Sequence, residues 1–220
     1  MNILFVAPHP DDETLGCGGT ALRHKSEKDI INWLIITKIN KTKFNKEKIL
    51  KREEEIKKVG KMYGFRNIIK LNYATSTLDT IKKQKIIDNI KKVLDKLKPN
   101  IIYLPFENDA HSDHKVTFDS VMSCSKSFRA PYIKSIRVYE TISETDFANS
   151  YNNKIFQPNL WINITPYLEK KIKIMQVYKS EISKHPFPRS IKNIKALATN
   201  RGATAGFKYA ECFNIVKEIK

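Results

Sequence analysis

The sequence lacks the features that mark membrane-spanning and secreted proteins. Its 220 residues contain no apolar run that approaches the roughly 18–20 residues of a membrane span. The apolar stretch at the start is too short for a signal peptide and has no cationic residue before it. The three cysteines, Cys17, Cys124 and Cys212, show no C-x-x-C spacing, which excludes an evident disulfide framework or cysteine-based zinc site. We therefore expect no membrane span and a location in the reducing cytoplasm.

Internal repeats, low-complexity stretches and linkers rich in proline or glycine are also absent from the sequence. Apolar residues make up 41% of the chain and aromatic residues 10%, which is ordinary for a globular protein and argues against disorder. A chain of this length can bury a sizeable core without disulfide bonds. We expect one domain that covers residues 1–220.

Acidic residues are few beside basic ones: 23 Asp and Glu stand against 40 Lys and Arg, a net charge of +17. Such a balance raises nucleic acid or an anionic membrane as a partner. However, 33 of the 40 basic residues are lysine, and Lys, Asn and Ile together make up 79 residues. A nucleic-acid-binding surface would favour arginine, whose planar fork reads bases and phosphates. We interpret the charge as solvated lysine on helix faces, and a basic nucleic-acid-binding module stays the less favoured alternative.

Short apolar runs alternate with longer amphipathic segments over the first 130 residues. The apolar runs predict four buried strands: Asn2–Ala7, Ile30–Ile36, Ile68–Leu71 and Ile101–Leu104. The amphipathic segments predict four helices: Glu13–Lys25, Lys46–Tyr63 (closed by Gly64), Thr80–Leu97 and His114–Ser127. Because strands that are apolar throughout are buried on both faces, this alternation predicts an α/β fold with a parallel sheet covered by helices on both sides.

The chain after residue 135 is less regular. Thr165 followed by proline predicts a capped helix that runs to about Ser183. The remaining apolar segments predict two strands, a shorter helix, and a stretch that is ambiguous between strand and helix: in this order Ile136–Glu140, Leu160–Ile164, Ser190–Asn200 and Tyr209–Val216.

Two short polar segments follow two of the predicted strands. Residues 8–13 read PHPDDE, and residues 109–114 read DAHSDH. Ligands of an open parallel sheet bind beyond the carboxyl ends of the strands, where both segments would lie. The topology could therefore bring His9, Asp12 and His114 together. Two imidazoles and a carboxylate suit a borderline divalent ion such as zinc, with Fe²⁺ as an alternative, and leave one coordination position open.

The neighbouring residues of the two segments could complete a hydrolytic site. Asp11 could act as the general base towards water. His111 could stabilise an oxyanion or protonate a leaving nitrogen, and Asp113 could orient His111 or another imidazole. Together they favour metal-assisted hydrolysis of an amide-like bond. The structural alternative is that residues 8–13 form only a turn in which an aspartate caps the next helix.

The glycines of residues 15–20, LGCGGT, allow two interpretations. They could form a phosphate-binding loop, although the lysine of such loops is missing. The favoured interpretation is steric: glycines let the first helix approach the site and the sheet closely.

These segments match a known pattern. Residues 7–20 resemble the HPDDE…GGT signature of the PIG-L/LmbE-like zinc-dependent N-acetylglucosaminyl deacetylases. Residues 111–114 resemble the family's HxDH motif, and Asp109 fits the aspartate that often stands two residues before it. Residues 52–64 resemble its RxxE…LG segment, and residues 201–213 resemble an RG…YAExF ending. The resemblance covers nearly the whole chain.

The resemblance implies a Rossmann-like (LmbE-like) three-layer α/β/α fold with a mostly parallel sheet. The zinc ligands that it implies are His9, Asp12 and His114. Asp11 would be the general base, and His111, supported by Asp113, the oxyanion stabiliser or general acid. Arg52 would contact the substrate. That substrate would be an N-acetylated amino sugar, often GlcNAc attached to an aglycone, and the products would be acetate and the free amine.

The sequence departs from the family pattern in two places. Residues 73–78, YATSTL, fall where many members carry an aspartate that binds sugar hydroxyls. Thr75 or Ser76 could donate a hydrogen bond there but cannot accept one as a carboxylate does, so a modified sugar or an acetylated nucleotide sugar is an open alternative. The basic residues 38–48 could meet a phosphate on the aglycone or form a solvated loop. A homo-oligomer is also open.

Three further polar side chains lie outside the two polar segments at residues 8–13 and 109–114. His24 and His185 are expected on the surface or in loops. Arg201 could bind a carboxylate or phosphate, or form a structural pair with Glu211.

Overall fold

A computed structural model of the chain describes residues 1–39, 45–149 and 155–220. The strands in these ranges are β1 (Asn2–Ala7), β2 (Ile30–Lys38), β3 (Asn67–Ala74), β4 (Ile101–Pro105), β5 (Ser135–Tyr139), β6 (Leu160–Asn163) and β7 (Ala210–Glu218). They form one sheet in the order β3-β2-β1-β4-β5-β7-β6. The first five strands pair in parallel, and β7 is antiparallel to both of its neighbours. The predicted mostly parallel sheet is confirmed.

Helices cover both faces of this sheet. They are α1 (Asp12–Ser26), α2 (Lys46–Tyr63), α3 (Lys83–Leu97), α4 (Ser112–Cys124), α5 (Leu168–Met175) and α6 (Ile191–Thr204). Successive side chains of β1 point to opposite faces, as the pleat of a strand requires. Phe5 belongs to the core cluster under α1, α2, α5 and α6, whereas Leu4 belongs to the cluster under α3 and α4. The three-layer α/β/α arrangement is therefore confirmed.

Local capping interactions set several helix boundaries. The Asn45 side chain accepts a hydrogen bond from the Lys48 N–H at the start of α2, and Gly64 ends that helix with φ 76°. Ser190 caps α6 by accepting from the Asn193 N–H. The structure confirms the predicted end of α2 at Gly64, where only glycine adopts the left-handed conformation without strain.

The predicted helix from Thr165 to Ser183 is present but its predicted bounds are wrong, because α5 spans only Leu168–Met175. The Thr165 hydroxyl accepts from the Tyr209 N–H and does not cap a helix. Beyond α5 the chain turns to bury Tyr178, whose hydroxyl donates to Glu13 Oε1 at 3.1 Å. Residues 176–190 therefore form a series of turns that run along the carboxyl edge of the sheet.

Smaller differences have local causes. The helix predicted from Thr80 begins at Lys83, because Leu78–Thr80 forms a 3₁₀ turn of its own. The helix predicted from His114 begins at Ser112, because His111 serves as its N-cap. The ambiguous segment after Tyr209 is strand β7. The strands of the one sheet come from Asn2 through to Glu218, and the expectation of one domain over residues 1–220 stays a prediction. Within the described ranges, no helix is long and apolar enough to cross a membrane.

Candidate metal centre and active-site pocket

The two polar segments meet because β1 and β4 are neighbours in the sheet. Residues 8–13 leave the end of β1, and residues 109–114 lead from β4 into α4. Asp12 Oδ2 lies 3.4 Å from His114 Nε2 and 3.4 Å from His9 Nδ1. One possible ligand atom from each of these three side chains lies within 4.8 Å of the other two. The structure thus brings together the three side chains that the sequence proposes as metal ligands.

The His114 imidazole shows that this group fits a divalent cation. His114 is fully buried, and its Nδ1 lies 2.7 Å from Asp109 Oδ2. The other carboxylate oxygen of Asp109, Oδ1, accepts a hydrogen bond from the Thr145 hydroxyl at 2.6 Å. With Nδ1–H donated to Asp109, the lone pair of Nε2 faces Asp12 and His9. Among the described residues this nitrogen has no hydrogen-bond partner. A buried imidazole nitrogen aimed at a carboxylate and a second imidazole is a donor set suited to zinc or a similar ion.

Electrostatics within the group keep its carboxylate ionised. Burial acts to raise the pKa of Asp12, but the imidazoles of His114 and His9 hold that pKa well below its usual range. Burial acts to lower the pKa of His9, yet hydrogen bonds to Asp113 and Asp12 raise it to about 9. Burial also opposes the effect of Asp12 and Asp109 on His114, whose pKa is nevertheless raised. Each shift arises from attraction between a carboxylate and a positive charge beside it, and the ionised Asp12 carboxylate is the group that would attract a metal cation.

Asp113 lies against His9 and not against His111. Its Oδ2 is 3.0 Å from His9 Nε2 and 4.0 Å from His111 Nδ1. The carboxylate also accepts the N–H groups of Ser76 and Leu78, at 2.7 and 3.1 Å. Of the two partners that the sequence leaves open for Asp113, the carboxylate therefore takes another imidazole and not His111: it holds Nε2 of His9 so that Nδ1 faces Asp12.

His111 is oriented by the backbone of its own helix. Its Nδ1 accepts the Asp113 N–H at 3.1 Å, so the neutral imidazole carries its proton on Nε2. Burial, followed by the nearby charge of His9, lowers the pKa of His111 to about 4. His111 lines the pocket described below. It is placed as a neutral hydrogen-bond donor.

Asp11 occupies a strained turn beside the metal group. Its φ of 143° lies where side-chain-bearing residues are rare, and its N–H donates to Glu13 Oε2 at 3.0 Å. Its carboxylate accepts from Arg189 at 3.1 Å. Burial, with the charges of Asp12 and Glu181, raises the pKa of Asp11 above its usual range. The turn thus gives two adjacent carboxylates different partners.

A cavity of about 450 Å³ lies over these residues. His9, Asp11, Asp12 and His111 line it, so two of the three candidate metal ligands and the candidate base face the same space, while His114 is buried behind them. Its other walls come from the end of β2, from α2, and from the turns after β3, β5 and α5: Thr37, Lys38, Ile39, Lys48, Lys51, Arg52, Glu55, Thr75, Thr141, Ser143, Glu144, Ser180, Glu181 and Arg189. The basic segment 38–48 thus contributes Lys38 and Lys48 to the walls, while residues 40–44 lie outside the described part of the chain.

Arg52 lies in this wall with its guanidinium engaged by protein groups. It donates to the Pro10 carbonyl at 2.8 Å and pairs with Glu181 and with Glu55. Arg189 links Glu181 to the Asp11 carboxylate, at 3.1 Å from each. The implied substrate contact of Arg52 stays a prediction. Sequence reasoning missed Glu181 and Arg189, because no motif marks them and the former lies in a segment predicted to be helical.

Other expectations for single side chains have mixed outcomes. His185 is exposed, as predicted, but His24 is buried, with hydrogen bonds of 2.7 Å to Asp29 and 2.9 Å to the Tyr103 hydroxyl. Of the alternatives for Arg201, the structural pair with Glu211 is wrong, since Arg201 binds Glu140 through two hydrogen bonds of 2.8 and 2.6 Å.

The glycines of residues 15–20 serve close packing. They lie inside α1, so they form no phosphate-binding loop. A Cβ on Gly16 would stand 2.2 Å from Tyr139 Cδ2, and a Cβ on Gly19 would stand 2.6 Å from Ile164 Cβ. Both distances are shorter than real Cβ atoms show, which confirms the steric interpretation.

Comparisons with known proteins agree with this geometry. The sequence pattern of the family described as "PIG-L: GlcNAc-PI de-N-acetylase" matches residues 4–125. A Bacillus anthracis protein named "Probable N-acetyl-alpha-D-glucosaminyl L-malate deacetylase 2" is 24% identical over 191 residues, which cover 83% of this chain and 82% of that protein.

Solved structures share the fold. A conserved protein from Thermus thermophilus superposes with a TM-score of 0.78 at 24% identity, covering 97% of this chain and 93% of that one. A 4-carboxy-2-hydroxymuconate hydratase from Pseudomonas putida KT2440 has a TM-score of 0.74 at 14% identity, with coverage of 98% and 96%. The fold alone therefore does not fix the reaction. The sequence match extends over more than half of the chain, and the chain belongs to the PIG-L family.

Proposed function

We propose that the protein is a metal-dependent N-deacetylase that acts on an N-acetylamino sugar or a GlcNAc-type conjugate and releases acetate and the free amine. The observation that carries this proposal is the grouping of His9, Asp12 and His114, whose Nε2 has no hydrogen-bond partner among the described residues, beside a cavity that His9, Asp12 and Asp11 line. The description of the family and the name of the Bacillus relative support the acetyl group and the amino sugar.

The proposed ligands are His9, Asp12 and His114, and the proposed ion is zinc, with Fe²⁺ as an alternative. Bound there, such an ion lowers the pKa of water and polarises the carbonyl of the substrate amide.

The protein's own groups have separate tasks in this proposal. Asp11 accepts the proton of the attacking water, and Arg189 holds one oxygen of its carboxylate so that the other is available. His111 donates its Nε2–H to the amide oxygen as negative charge develops there. The proton on Asp11 then passes to the leaving nitrogen, so that the free amine and acetate form without a further co-reactant. Asp113 keeps His9 oriented, and Arg52 binds the turn of residues 8–13 and faces the substrate.

Release of acetate tests this proposal directly. The metal-loaded protein is incubated with GlcNAc conjugates, acetylated nucleotide sugars and chitooligomers, and acetate and free amine are quantified. Activity is expected to disappear with a chelator. Asp11→Asn should lower kcat by about 10²–10⁴-fold while metal content is kept, the usual contribution of a general base. His114→Ala should lose the metal. Undiminished turnover in both variants would remove the assignment.

The same screen separates the alternatives. Preferred turnover of an acetylated nucleotide sugar would indicate the same site acting on another acylated amine. Retention of DNA or RNA only at low salt would support the basic binding module, which we do not favour. We further propose that the protein acts in the reducing cytoplasm on a small molecule, with its three cysteines free. A homo-oligomer stays a prediction that light scattering would test.

A further inference from the structure

The turn after β5 offers hydrogen-bonding groups to the cavity that nothing in the described part of the protein uses. Thr141, Ser143 and Glu144 line the cavity opposite α2. Thr141 is 1% exposed, and its hydroxyl has no hydrogen-bond partner among the described residues. The buried hydroxyl of Ser143 has none there either. A buried hydroxyl without a hydrogen-bond partner costs free energy of folding. These two hydroxyls therefore indicate that a bound molecule supplies their hydrogen bonds.

Glu144 differs from the other carboxylates of the cavity. Asp12 faces two imidazoles, Asp11 and Glu181 bind Arg189, and Glu55 binds Arg52. No hydrogen bond or ion pair within the described ranges engages the Glu144 carboxylate. Burial is also the main reason that its pKa is raised above the usual value. A half-buried carboxylate without a protein partner is suited to accept hydrogen bonds from a ligand.

The turn is held rigidly and is tied to the metal group. The Thr145 hydroxyl accepts the Thr141 N–H at 2.8 Å and donates to Asp109, the partner of His114. The Ala110 N–H donates to the Glu144 carbonyl at 3.2 Å. Ser143 has a φ of 77°, a strained conformation that the neighbouring hydrogen bonds maintain. The polar groups are therefore fixed relative to the site of hydrolysis before a ligand arrives.

We propose that residues 141–144 form the wall that recognises the hydroxyl groups of the sugar ring. This inference rests on the proposed function and specifies its substrate class as pyranosides with free ring hydroxyls. The Glu144 carboxylate accepts hydrogen bonds from ring hydroxyls, and the hydroxyls of Thr141 and Ser143 complete the pattern by donating or accepting. Thr75 faces the cavity from the turn after β3 but carries no carboxylate, so the acceptor comes from the β5 side.

The test uses a matched pair of ligands and does not depend on turnover. The methyl glycoside of N-acetylglucosamine carries ring hydroxyls, whereas N-cyclohexylacetamide has the same amide without them. Dissociation constants are measured by ligand-observed NMR with the wild-type protein and the variants Glu144→Gln and Thr141→Val. KM and kcat are measured in parallel for any sugar conjugate that the wild type hydrolyses.

Each variant should weaken binding of the glycoside, by about tenfold for Glu144→Gln, the effect of losing one hydrogen bond to a charged group. Binding of N-cyclohexylacetamide should be unchanged. KM for a sugar conjugate should rise while kcat changes little. Thr141→Val removes a hydroxyl without a protein partner among the described residues, so its melting temperature should equal or exceed that of the wild type. Glu107→Gln, on an exposed carboxylate, is the control and should bind both ligands normally.

Equal weakening of both ligands, or unchanged glycoside binding in Glu144→Gln and Thr141→Val, would overturn the inference. Failure of the proposed function is distinguishable, because the wild type would then release no acetate from any sugar, whatever the binding results.

Discussion

Replacement of Lys171 by methionine tests how the amino-terminal helix of the site is held. Lys171 and Glu211 form an ion pair of 2.7 Å, and both side chains are almost completely buried. The Glu211 carboxylate also accepts the N–H groups of Gly19 and Thr20 at 2.8 and 2.7 Å. Lys171 donates to the Leu15 carbonyl at 2.8 Å, which a regular helix would offer to the Gly19 N–H. The pair is thus inserted into the hydrogen-bond ladder of α1.

Lys171→Met keeps the length of the side chain but leaves the Glu211 carboxylate buried without its cation. Breaking a buried pair in this way typically costs about 3–5 kcal/mol of the free energy of unfolding. Since domains have a stability of roughly 5–15 kcal/mol in total, the variant should unfold at a clearly lower urea concentration. With a urea m-value of about 2–3 kcal/mol/M, the midpoint should fall by about 1–2.5 M while the slope is unchanged.

Lys195→Met is the matched control, because Lys195 pairs with Glu169 at a similar 2.8 Å on the surface. An exposed pair is screened by water, so this variant should unfold at the wild-type midpoint. If Lys171→Met also unfolds at that midpoint, the buried pair contributes nothing and the reasoning is refuted. A lowered slope would instead indicate a loss of two-state unfolding.

Three other changes probe the packing, the metal group and the base. Gly19→Ala should lower the free energy of unfolding by about 1–3 kcal/mol in thermal melts, because the added Cβ meets Ile164; a wild-type melting temperature would contradict the steric argument. Thr145→Val releases Asp109 and should weaken zinc affinity about 10–100-fold in chelator competition, and unchanged affinity would count against that hydrogen-bond chain. Arg189→Ala should lower kcat about 10–100-fold with metal content unchanged, by misplacing Asp11, the proposed general base, and Arg189→Lys should recover part of the loss; equal kcat in all three proteins would exclude the positioning role.

The grouping of His9, Asp12 and His114, the candidate metal ligands, could be predicted because its signals are local and its assembly follows from topology. Residues 8–13 and 109–114 each follow a strand that is apolar throughout, and parallel strands bring their carboxyl ends to one edge of the sheet. Strand order then decides the rest: β1 and β4 are neighbours, so the two segments meet. The parallel part of the sheet and most helices follow from periodicity in the same way.

Pairings between distant side chains could not be predicted in this manner. Arg201 pairs with Glu140, which follows β5, and not with Glu211 on the adjacent strand β7. The Glu211 carboxylate is already paired with Lys171. Asp113 binds His9 because that carboxylate is anchored by N–H groups of the turn after β3. Residue spacing does not indicate either pairing, because each depends on which of several possible partners lies nearest in the folded protein.

The turn after α5 shows why part of the pocket escapes sequence reasoning. The sequence predicts a helix up to about Ser183, yet the helix ends at Met175 and the chain buries Tyr178 against Glu13. Glu13 accepts that hydroxyl on one oxygen and the Asp11 N–H on the other. A single buried carboxylate therefore both fixes the strained turn of Asp11 and anchors the segment that carries Arg189 to it. Local propensity cannot reveal this coupling, because the group that joins the two segments lies 165 residues from Tyr178 in the sequence.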